Sequence, residues 1–340
     1  MDLKEKYMAA ALTEAEKAWG LTTPNPMVGA VAVKDGEIIG RGYHHRAGCP
    51  HAERELMAVC GDALRGADVY VTLEPCSTTG RTPPCTEGLI SSGVKRVIVG
   101  TADPNPRHGG RGLEILRSAG IEVECGVLEK ECLELNRAFF KWITAKRPFV
   151  LLKMAMTLDG KIADSTGESK WITGSAARSR VQYLRRWADA VMITGGTLRR
   201  DKSRLTVREP ADWPKKLHRI IATSHMSSDE LRSYFPDDPD VRTACIGGRS
   251  DWEKVLNDLG SAGVTALLLE GGGELAGSAL ENGIVDAVEF HIAPKLLCGR
   301  SSIPVTGWLD RPLSSALKLK NVAVESLGDD VIYRGDVDRG

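Results

Sequence analysis

The sequence predicts an α/β protein of two domains, and three observations carry that expectation. The chain has 340 residues, and at roughly 150 residues per domain this length favours two. Apolar runs of strand character alternate with segments of helical apolar spacing, the pattern of layered α/β folds. The alternation occurs in two series that meet at TAKRPF (144–149), a short charged segment containing Pro148. The expected domains are therefore 1–146 and 147–340.

In the first series, MDLKEKYMAAALTEAEKAWG reads as an amphipathic helix of the mature fold, with charges throughout and no separate apolar signal core. TTPNPMVG is a turn segment. GAVAVKDGEIIGRGYH is a hairpin about Asp35-Gly36, a strong turn dipeptide. A helix should start near His51, because Pro50 suits a helix start and HAERELMAVC has helical spacing. ADVYVTLEPC is a buried strand, and a second helix should start near Pro84. VKRVIVGTADP (strand), RGLEILRSAG (helix), IEVECGV (strand) and one helix over EKECLELNRAFFKWI complete the series.

The second series opens with FVLLKMAMTLDGKIA, read as one strand. It continues through SAARSRVQYLRRWA (helix), the strands DAVMITGG, HRIIATS and VRTACIGG, and WEKVLNDLGSAG (helix). VTALLLEGGG (strand), ELAGSALENG (helix), VDAVEFHIAPKLL (strand) and a hairpin about Gly328-Asp329 follow.

Lys+Arg and Asp+Glu both number 45, and the signs also balance within 1–148 and within 149–340. Neither half carries the bulk positive charge of a typical nucleic-acid binder. No apolar run approaches the 18 or so residues of a membrane span. Eight cysteines are too few for a disulfide scaffold in so long a chain, so a reducing, cytoplasmic setting is expected. Cys60, Cys125, Cys132, Cys245 and Cys298 are read as buried small apolar residues.

CPHAERELMAVC (49–60) and TLEPCSTTGRTPPC (72–85) hold the chemistry. A catalytic zinc keeps three protein ligands and leaves one position for water. His51, Cys76 and Cys85 supply one imidazole and two thiolates. Cys85 lies in the first turn of its helix, where the helix dipole favours a thiolate. Cys49 is the alternative fourth ligand, aimed away by Pro50 and the turn. The donor set suits zinc without excluding iron. Glu53 lies two residues past His51, placed to shuttle a proton without being a ligand. Such a site fits hydrolytic deamination of an amino-substituted ring. HAE matches the first half of the H-x-E…P-C-x-x-C signature of zinc nucleobase deaminases, whereas the second half here is P-C-x8-C. The rivals are a deaminase acting on nucleic-acid bases and a zinc-stabilised nucleic-acid-binding module, both disfavoured by the balanced charge.

In the second half, VMITGGTLRRD and ALLLEGGGELAG join strand to helix through glycines, where backbone N–H groups can approach a pyrophosphate. Gly271-x-Gly273-x-x-Ala276 formally fits a dinucleotide fingerprint, yet comes late in the domain with no acidic strand end about 20 residues on. RRDKSRLTVR carries five basic residues in ten, a solvated face or a phosphate site. Lys153, Asp201 and Glu270 are taken as ionisable residues at strand ends that serve proton transfer. A structural ion pair between Lys153 and Glu270 is the alternative.

TPNPMVGAV, GYHHRAGCPHAE, TLEPCSTTGRTPPC and DPNP, followed by LKMAMTLDGKIA, GESKWITG and EGGGELAGSAL…HIAPKLL, resemble the bifunctional riboflavin-biosynthesis enzymes over essentially the whole chain. In that family a diaminohydroxyphosphoribosylaminopyrimidine deaminase is fused to a 5-amino-6-(5-phosphoribosylamino)uracil reductase. The resemblance implies a cytidine-deaminase-like three-layer α/β/α domain, then a dihydrofolate-reductase-like α/β domain that uses NADPH. It implies a phosphorylated pyrimidine substrate, with no nucleic acid or membrane as partner; a homo-oligomer is expected. Asn25 and His44 should line the pyrimidine pocket. Thr78 stands where members often have His, and Arg81 and Thr82 remain as phosphate or loop contacts. Gly272, Gly273, Glu274, Leu275, Ala276, Gly277 and Ser278 should line the cofactor, with Thr197 and Asp201 on the other wall. Ala155 and Trp171 should border the nicotinamide, and Ser224 should meet the adenosine 2′-phosphate. Ser169, Arg185, Leu205 and Arg208, with Glu270, should hold the substrate. Lys202–Arg204 departs from the family, whose members commonly have Asp-Pro there.

Overall fold

The computed structural model describes residues 2–78, 83–105, 109–236, 238–307 and 309–339. The chain divides into two compact units, Met1–Lys146 and Arg147–Gly340.

In the first unit α1 (Leu3–Glu16) begins with a capping box: the Asp2 side chain takes the Glu5 N–H and the Glu5 side chain takes the Asp2 N–H. The hairpin β1 (Gly29–Lys34) and β2 (Glu37–Tyr43) turns through Asp35 and Gly36, both at positive φ (53 and 83). That backbone matches the twist of the flanking strands. There follow α2 (Ala52–Cys60), β3 (Asp68–Leu73), α3 (Cys85–Ser91), β4 (Arg96–Thr101), α4 (Arg111–Ser118), β5 (Glu122–Cys125), α5 (Glu129–Leu135) and α6 (Arg137–Ala145).

The five strands form one sheet in the order β2-β1-β3-β4-β5, with β3, β4 and β5 parallel. The period-two alternation of the strands divides its two faces. Val31, Val33, Tyr70 and Ile98 pack with Met8 and Ala11 of α1 and Cys132 of α5. Ala30, Val69, Val71, Val97 and Val99 pack with Leu56 of α2, Leu89 of α3 and Leu116 of α4. The result is the expected three-layer α/β/α unit.

The single helix expected over 129–143 is two helices. Asn136 breaks it, because its amide pairs with both backbone polar groups of Met27. Met27 N–H donates to Oδ1 (2.8 Å) and Nδ2 donates to the Met27 carbonyl (2.8 Å).

The second unit contains β6 (Phe149–Thr157), β7 (Lys161–Ala163), α7 (Ser175–Trp187), β8 (Ala190–Thr194), α8 (Gly195–Asp201), β9 (His218–Ala222), α9 (Ser228–Tyr234) and β10 (Val241–Ala244). Then come α10 (Arg249–Ser261), β11 (Ala266–Glu270), α11 (Gly273–Glu281), β12 (Ala287–Ala293), β13 (Ile303–Pro304), β14 (Leu319–Leu327) and β15 (Asp330–Val337). Eight strands form a sheet in the order β10-β9-β8-β11-β6-β12-β15-β14. The run from β10 to β12 is parallel, and the C-terminal hairpin joins antiparallel. Val150, Leu152 and Met154 of β6 face Leu267, Leu269, Trp252 and Leu256, together with Leu275 and Ala279 of α11. The opposite face of these strands carries Lys153, Glu270 and Glu289 in register across three neighbours.

The strand expected over 149–163 is β6 and β7, separated by a turn in which Leu158–Gly160 reverse the chain. Helix α9 was not anticipated, although Ser227 accepts the Glu230 N–H and so completes a readable Ser-x-x-Glu start. The cysteine expectation fails in part. Cys132 is buried, Cys60 is half-buried, and Cys125, Cys245 and Cys298 are exposed.

Candidate active sites

His51 is the N-cap of α2 but makes no capping bond, so its imidazole is free for other work. Cys76 follows β3 and Cys85 opens α3. His51 Nδ1 lies 3.5 Å from each sulfur, and the three ligand atoms lie within 4.8 Å of one another. Cys49, the alternative ligand, does not join this group. The Cys85 N–H donates to the Cys76 sulfur (3.3 Å). Arg54 holds the segment before Cys85 through the carbonyl oxygens of Pro83 (3.0 Å) and Pro84 (2.7 Å).

A hydrogen bond from Cys85, against the cost of burial, and another from His51 pull the Cys76 thiol down to about 4. The bond with Cys76 and burial push Cys85 up. The Cys76 bond also raises His51 above its ordinary value. An imidazole, a thiolate and a second thiol converging on one point fit a soft divalent ion with a fourth position open. Glu53 is buried beside them, and burial raises its carboxyl to about 7.

A cavity of about 290 Å³ opens on this group, and Asn25, His44, Glu53, Thr78, Asp103 and Phe139 are among its lining residues. His44 is buried, and burial lowers its pKa, so the ring is neutral. His44 Nδ1 faces the Pro50 carbonyl (2.9 Å) and must donate to it. His44 Nε2 is then an acceptor, taking a proton from the Asn25 amide nitrogen at 3.1 Å. That fixes the Asn25 amide with its oxygen as the free group. Arg81 and Thr82 lie outside the described residues.

Sequence reasoning missed Glu74. Its buried carboxylate accepts the N–H groups of Asp103 (3.0 Å), Gly110 (2.9 Å) and Gly112 (2.8 Å). It thereby anchors Asp103 at the cavity and caps α4. The one hint was a glutamate between a buried strand and Pro75.

In the second unit the exit turns of β9, β8 and β11 stand side by side. A Cβ on Gly195 would lie 3.1 Å from Thr223, and one on Gly272 would lie 2.5 Å from Thr194. Gly271 and Gly272 hold φ of +87 and +84. Adjacent strand–glycine–helix turns at the carboxyl ends of parallel strands form a cradle that fits a dinucleotide. Thr197 belongs to it, bonded to the Thr194 hydroxyl (2.9 Å) across from Gly271. Ser224 is exposed beyond β9, and Ala155 is half-buried on β6. Trp171 is exposed with the Arg178 guanidinium 4.7 Å over its ring.

Several expectations need correction. Leu275 and Ala276 face the core, and the Ser278 hydroxyl accepts from Trp252 Nε1 (3.0 Å). A Cβ on Gly273 or Gly277 would strike the backbone of residues 304–307, so these glycines serve helix packing. In this helix Glu274 is the exposed one of the predicted lining residues. Leu205 is fully buried at φ +53, which leaves only its backbone to face a ligand. Lys153 lies mid-strand in β6, and Asp201 ends α8 with one carboxylate oxygen buried and unpaired. The ion pair of Glu270 is with Arg185, not Lys153: two bonds of 2.7 Å join guanidinium and carboxylate. A third Arg185 bond goes to the Thr206 carbonyl (3.1 Å), which leaves two of the five guanidinium N–H donors. Arg208 is exposed, its N–H held by Gln182 (2.8 Å). Ser169 sits in the loop whose Lys170 reaches the Asp201 carbonyl (3.3 Å).

A His/Cys/Cys group with a buried glutamate, joined in one chain to a parallel sheet with a dinucleotide cradle, defines a zinc-binding deaminase coupled to a reductase. Residues 1–101 match the cytidine and deoxycytidylate deaminase zinc-binding region, and residues 148–333 match the RibD C-terminal domain. The riboflavin biosynthesis protein RibD of Actinobacillus pleuropneumoniae is 43% identical over 96% of this chain and 93% of its own length. That of Aquifex aeolicus is 40% identical over 97% and 98%. The chain belongs to the RibD family, the bifunctional deaminase/reductases of riboflavin biosynthesis. A Thermotoga maritima diaminohydroxyphosphoribosylaminopyrimidine deaminase/5-amino-6-(5-phosphoribosylamino)uracil reductase superposes with a TM-score of 0.88 at 35% identity, covering 99% of both chains. Among the described residues no helix is long and apolar enough to cross a membrane.

Proposed function

We propose that the first unit deaminates 2,5-diamino-6-(5-phosphoribosylamino)pyrimidin-4-one, and that the second reduces the ribosyl chain of the product to ribityl with NADPH. The observation that carries the reading is Glu53, a buried carboxyl beside His51, Cys76 and Cys85 on a cavity edged by Asn25 and His44. His51, Cys76 and Cys85 would hold the zinc, which when bound acidifies water to a nucleophile. Glu53 takes one proton of the attacking water to the neighbouring ring nitrogen, then carries the second, from the hydroxyl so formed, to the departing ammonia as the C–N bond breaks. The Asn25 amide oxygen accepts from the exocyclic amine, oriented by neutral His44. Burial excludes bulk water from these transfers.

In the reductase unit the nicotinamide supplies hydride when bound, and the protein orients it and moves protons. Gly271, Gly272, Thr197 and Ser224 support a dinucleotide site, with Ala155 and Trp171 at its nicotinamide end. Ser224, exposed beyond β9, is taken to meet the 2′-phosphate that distinguishes NADPH. Ring opening of the ribosylamine breaks the C1′–oxygen bond and moves the proton of the glycosidic nitrogen to the sugar oxygen, and hydride addition at C1′ of the imine so formed then needs a new proton on that nitrogen. Lys153 supplies it, with Glu270 held by Arg185 as its anionic neighbour. Ser169, Arg208 and Asp201 are taken to face the substrate phosphate and sugar. We take the enzyme to be cytoplasmic and homo-oligomeric, acting on a small molecule and not on nucleic acid. Full-length, zinc-loaded protein incubated with the pyrimidine ribosyl phosphate tests the reading. Ammonia should appear without NADPH, and NADPH should be consumed only after deamination. NADH consumption equal to that of NADPH would refute the cofactor assignment.

A further inference from the structure

Lys153 is the middle member of a charged row that the reductase reading uses only on one side. On β11, Glu270 pairs in register with Lys153; on β12, Glu289 pairs with it from the other side. Both carboxylates are fixed by α7, in the same way. Arg185 forks onto Glu270 with bonds of 2.7 and 2.7 Å. Arg180 forks onto Glu289 with bonds of 3.0 and 2.9 Å. The row therefore reads Arg185, Glu270, Lys153, Glu289, Arg180, with signs alternating throughout. All of this lies on the sheet face under α7, away from the apolar core of the unit.

Glu289 has a third contact. His291, fully buried on the same strand, lies 2.9 Å from a Glu289 oxygen through Nε2. Burial lowers His291, which stays neutral and donates that proton to the carboxylate. Its Nδ1 is buried without a hydrogen-bond partner. Burying a carboxylate, a guanidinium and an imidazole around a lysine is expensive, and an ordinary structural face would not need it. Leucine or valine would fill these strand positions at lower cost.

We propose that Glu289, held by Arg180 and His291, is a positioning residue for the reductase step: it forms, with Glu270, a two-carboxylate cradle that seats the Lys153 ammonium between two anions. This rests on the reading of Lys153 as the proton donor. Burial works against the ammonium form of Lys153, and Glu270 is the first group that opposes it, Glu289 the second. The charged and titratable groups facing Lys153 are Glu270 on β11, Glu289 and His291 on β12, and Arg185 on α7, with Arg180 behind Glu289. Removing the Glu289 charge while Arg180 stays leaves the lysine with less anionic and more cationic surroundings. Its acid form is then lost at lower pH.

The test is the pH profile of NADPH oxidation by the full-length, zinc-loaded enzyme, with deaminated substrate generated in place. Glu289→Gln should move the alkaline limb of kcat to lower pH by about one unit, the scale expected for loss of a nearby opposite charge. Glu289→Asp, which keeps the charge on a shorter arm, should restore the limb while lowering kcat. Calorimetry of the same variants checks that the second unit has folded, because the two units need not melt together. An unmoved limb in Glu289→Gln, or an Asp variant indistinguishable from Gln, overturns the cradle. If Glu289→Gln does not fold, the Asp variant decides: a limb displaced to lower pH in spite of its retained charge overturns the proposal. Lys153→Met separates the two ideas. Should it keep reductase activity, the reading of Lys153 fails; should it be inactive while the Glu289→Gln profile is wild-type, only the cradle fails.

Discussion

Replacing Glu74 with alanine should unfold the first unit well below its normal temperature and loosen its cavity. The carboxylate is buried and accepts three backbone N–H groups. The Gly112 N–H is buried, whereas those of Asp103 and Gly110 are partly reached by water. Leaving the Gly112 donor unpaired costs about 1–3 kcal/mol, and the two wetter donors lose about 1 kcal/mol each. The N-terminus of α4 also loses its anion, about 0.3–1 kcal/mol. The sum is about 3–6 kcal/mol. For a unit of this size each kcal/mol shifts Tm by about 2–4 °C, so a loss of roughly 10 °C or more is expected in the first unit's transition. Calorimetry suits the assay, because two units need not melt together. Deamination by the same variant should show a raised KM, since Asp103 loses its anchor at the cavity. A Tm loss under about 2 °C with unchanged KM would show that Glu74 organises nothing.

Other expectations follow from particular contacts. Glu53→Gln should lose deamination by about 10²-fold or more while still binding one zinc per chain by metal analysis. Removing zinc with a chelator should abolish ammonia release and leave reduction of pre-formed deaminated substrate intact. Asn136→Leu strands both Met27 groups and should lower first-unit stability by about 2–4 kcal/mol in urea unfolding. Burial would raise Glu289, but its His291 and Arg180 bonds outweigh that and hold it at about 2, below the ordinary value near 4.3. Its stability contribution, of order 3 kcal/mol, is present above about pH 4 and lost as pH falls toward 2. The stability gap between wild type and Glu289→Gln should accordingly narrow across that window.

The zinc group was legible because its ligands sit beside local signals. His51 and Cys85 stand where Pro50 and Pro84 start helices, and Cys76 closes a buried strand. The layered order of both units was legible for the same reason, since strand alternation and helical spacing repeat within a few residues. What escaped depends on distant returns of the chain. Asn136 breaks its helix for Met27, 109 residues away. Arg185 looked like a phosphate ligand, yet its partner is Glu270, 85 residues on. Glycines and small residues in 272–278 suggested a cofactor lining, but a Cβ on Gly273 or Gly277 would meet residues 304–307, a packing that no local pattern reveals. Glu289 and His291 alternate along a buried strand and read as ordinary strand positions until α7 brings Arg180 over them.

The most direct test of the two-activity account is one paired assay on the purified full-length protein with the pyrimidine ribosyl phosphate, wild type against Glu53→Ala. The account predicts ammonia release by wild type alone, zinc bound in both, and NADPH oxidation that begins only once ammonia has been released. Ammonia from Glu53→Ala at the wild-type rate, or none from the zinc-loaded wild type, would contradict it.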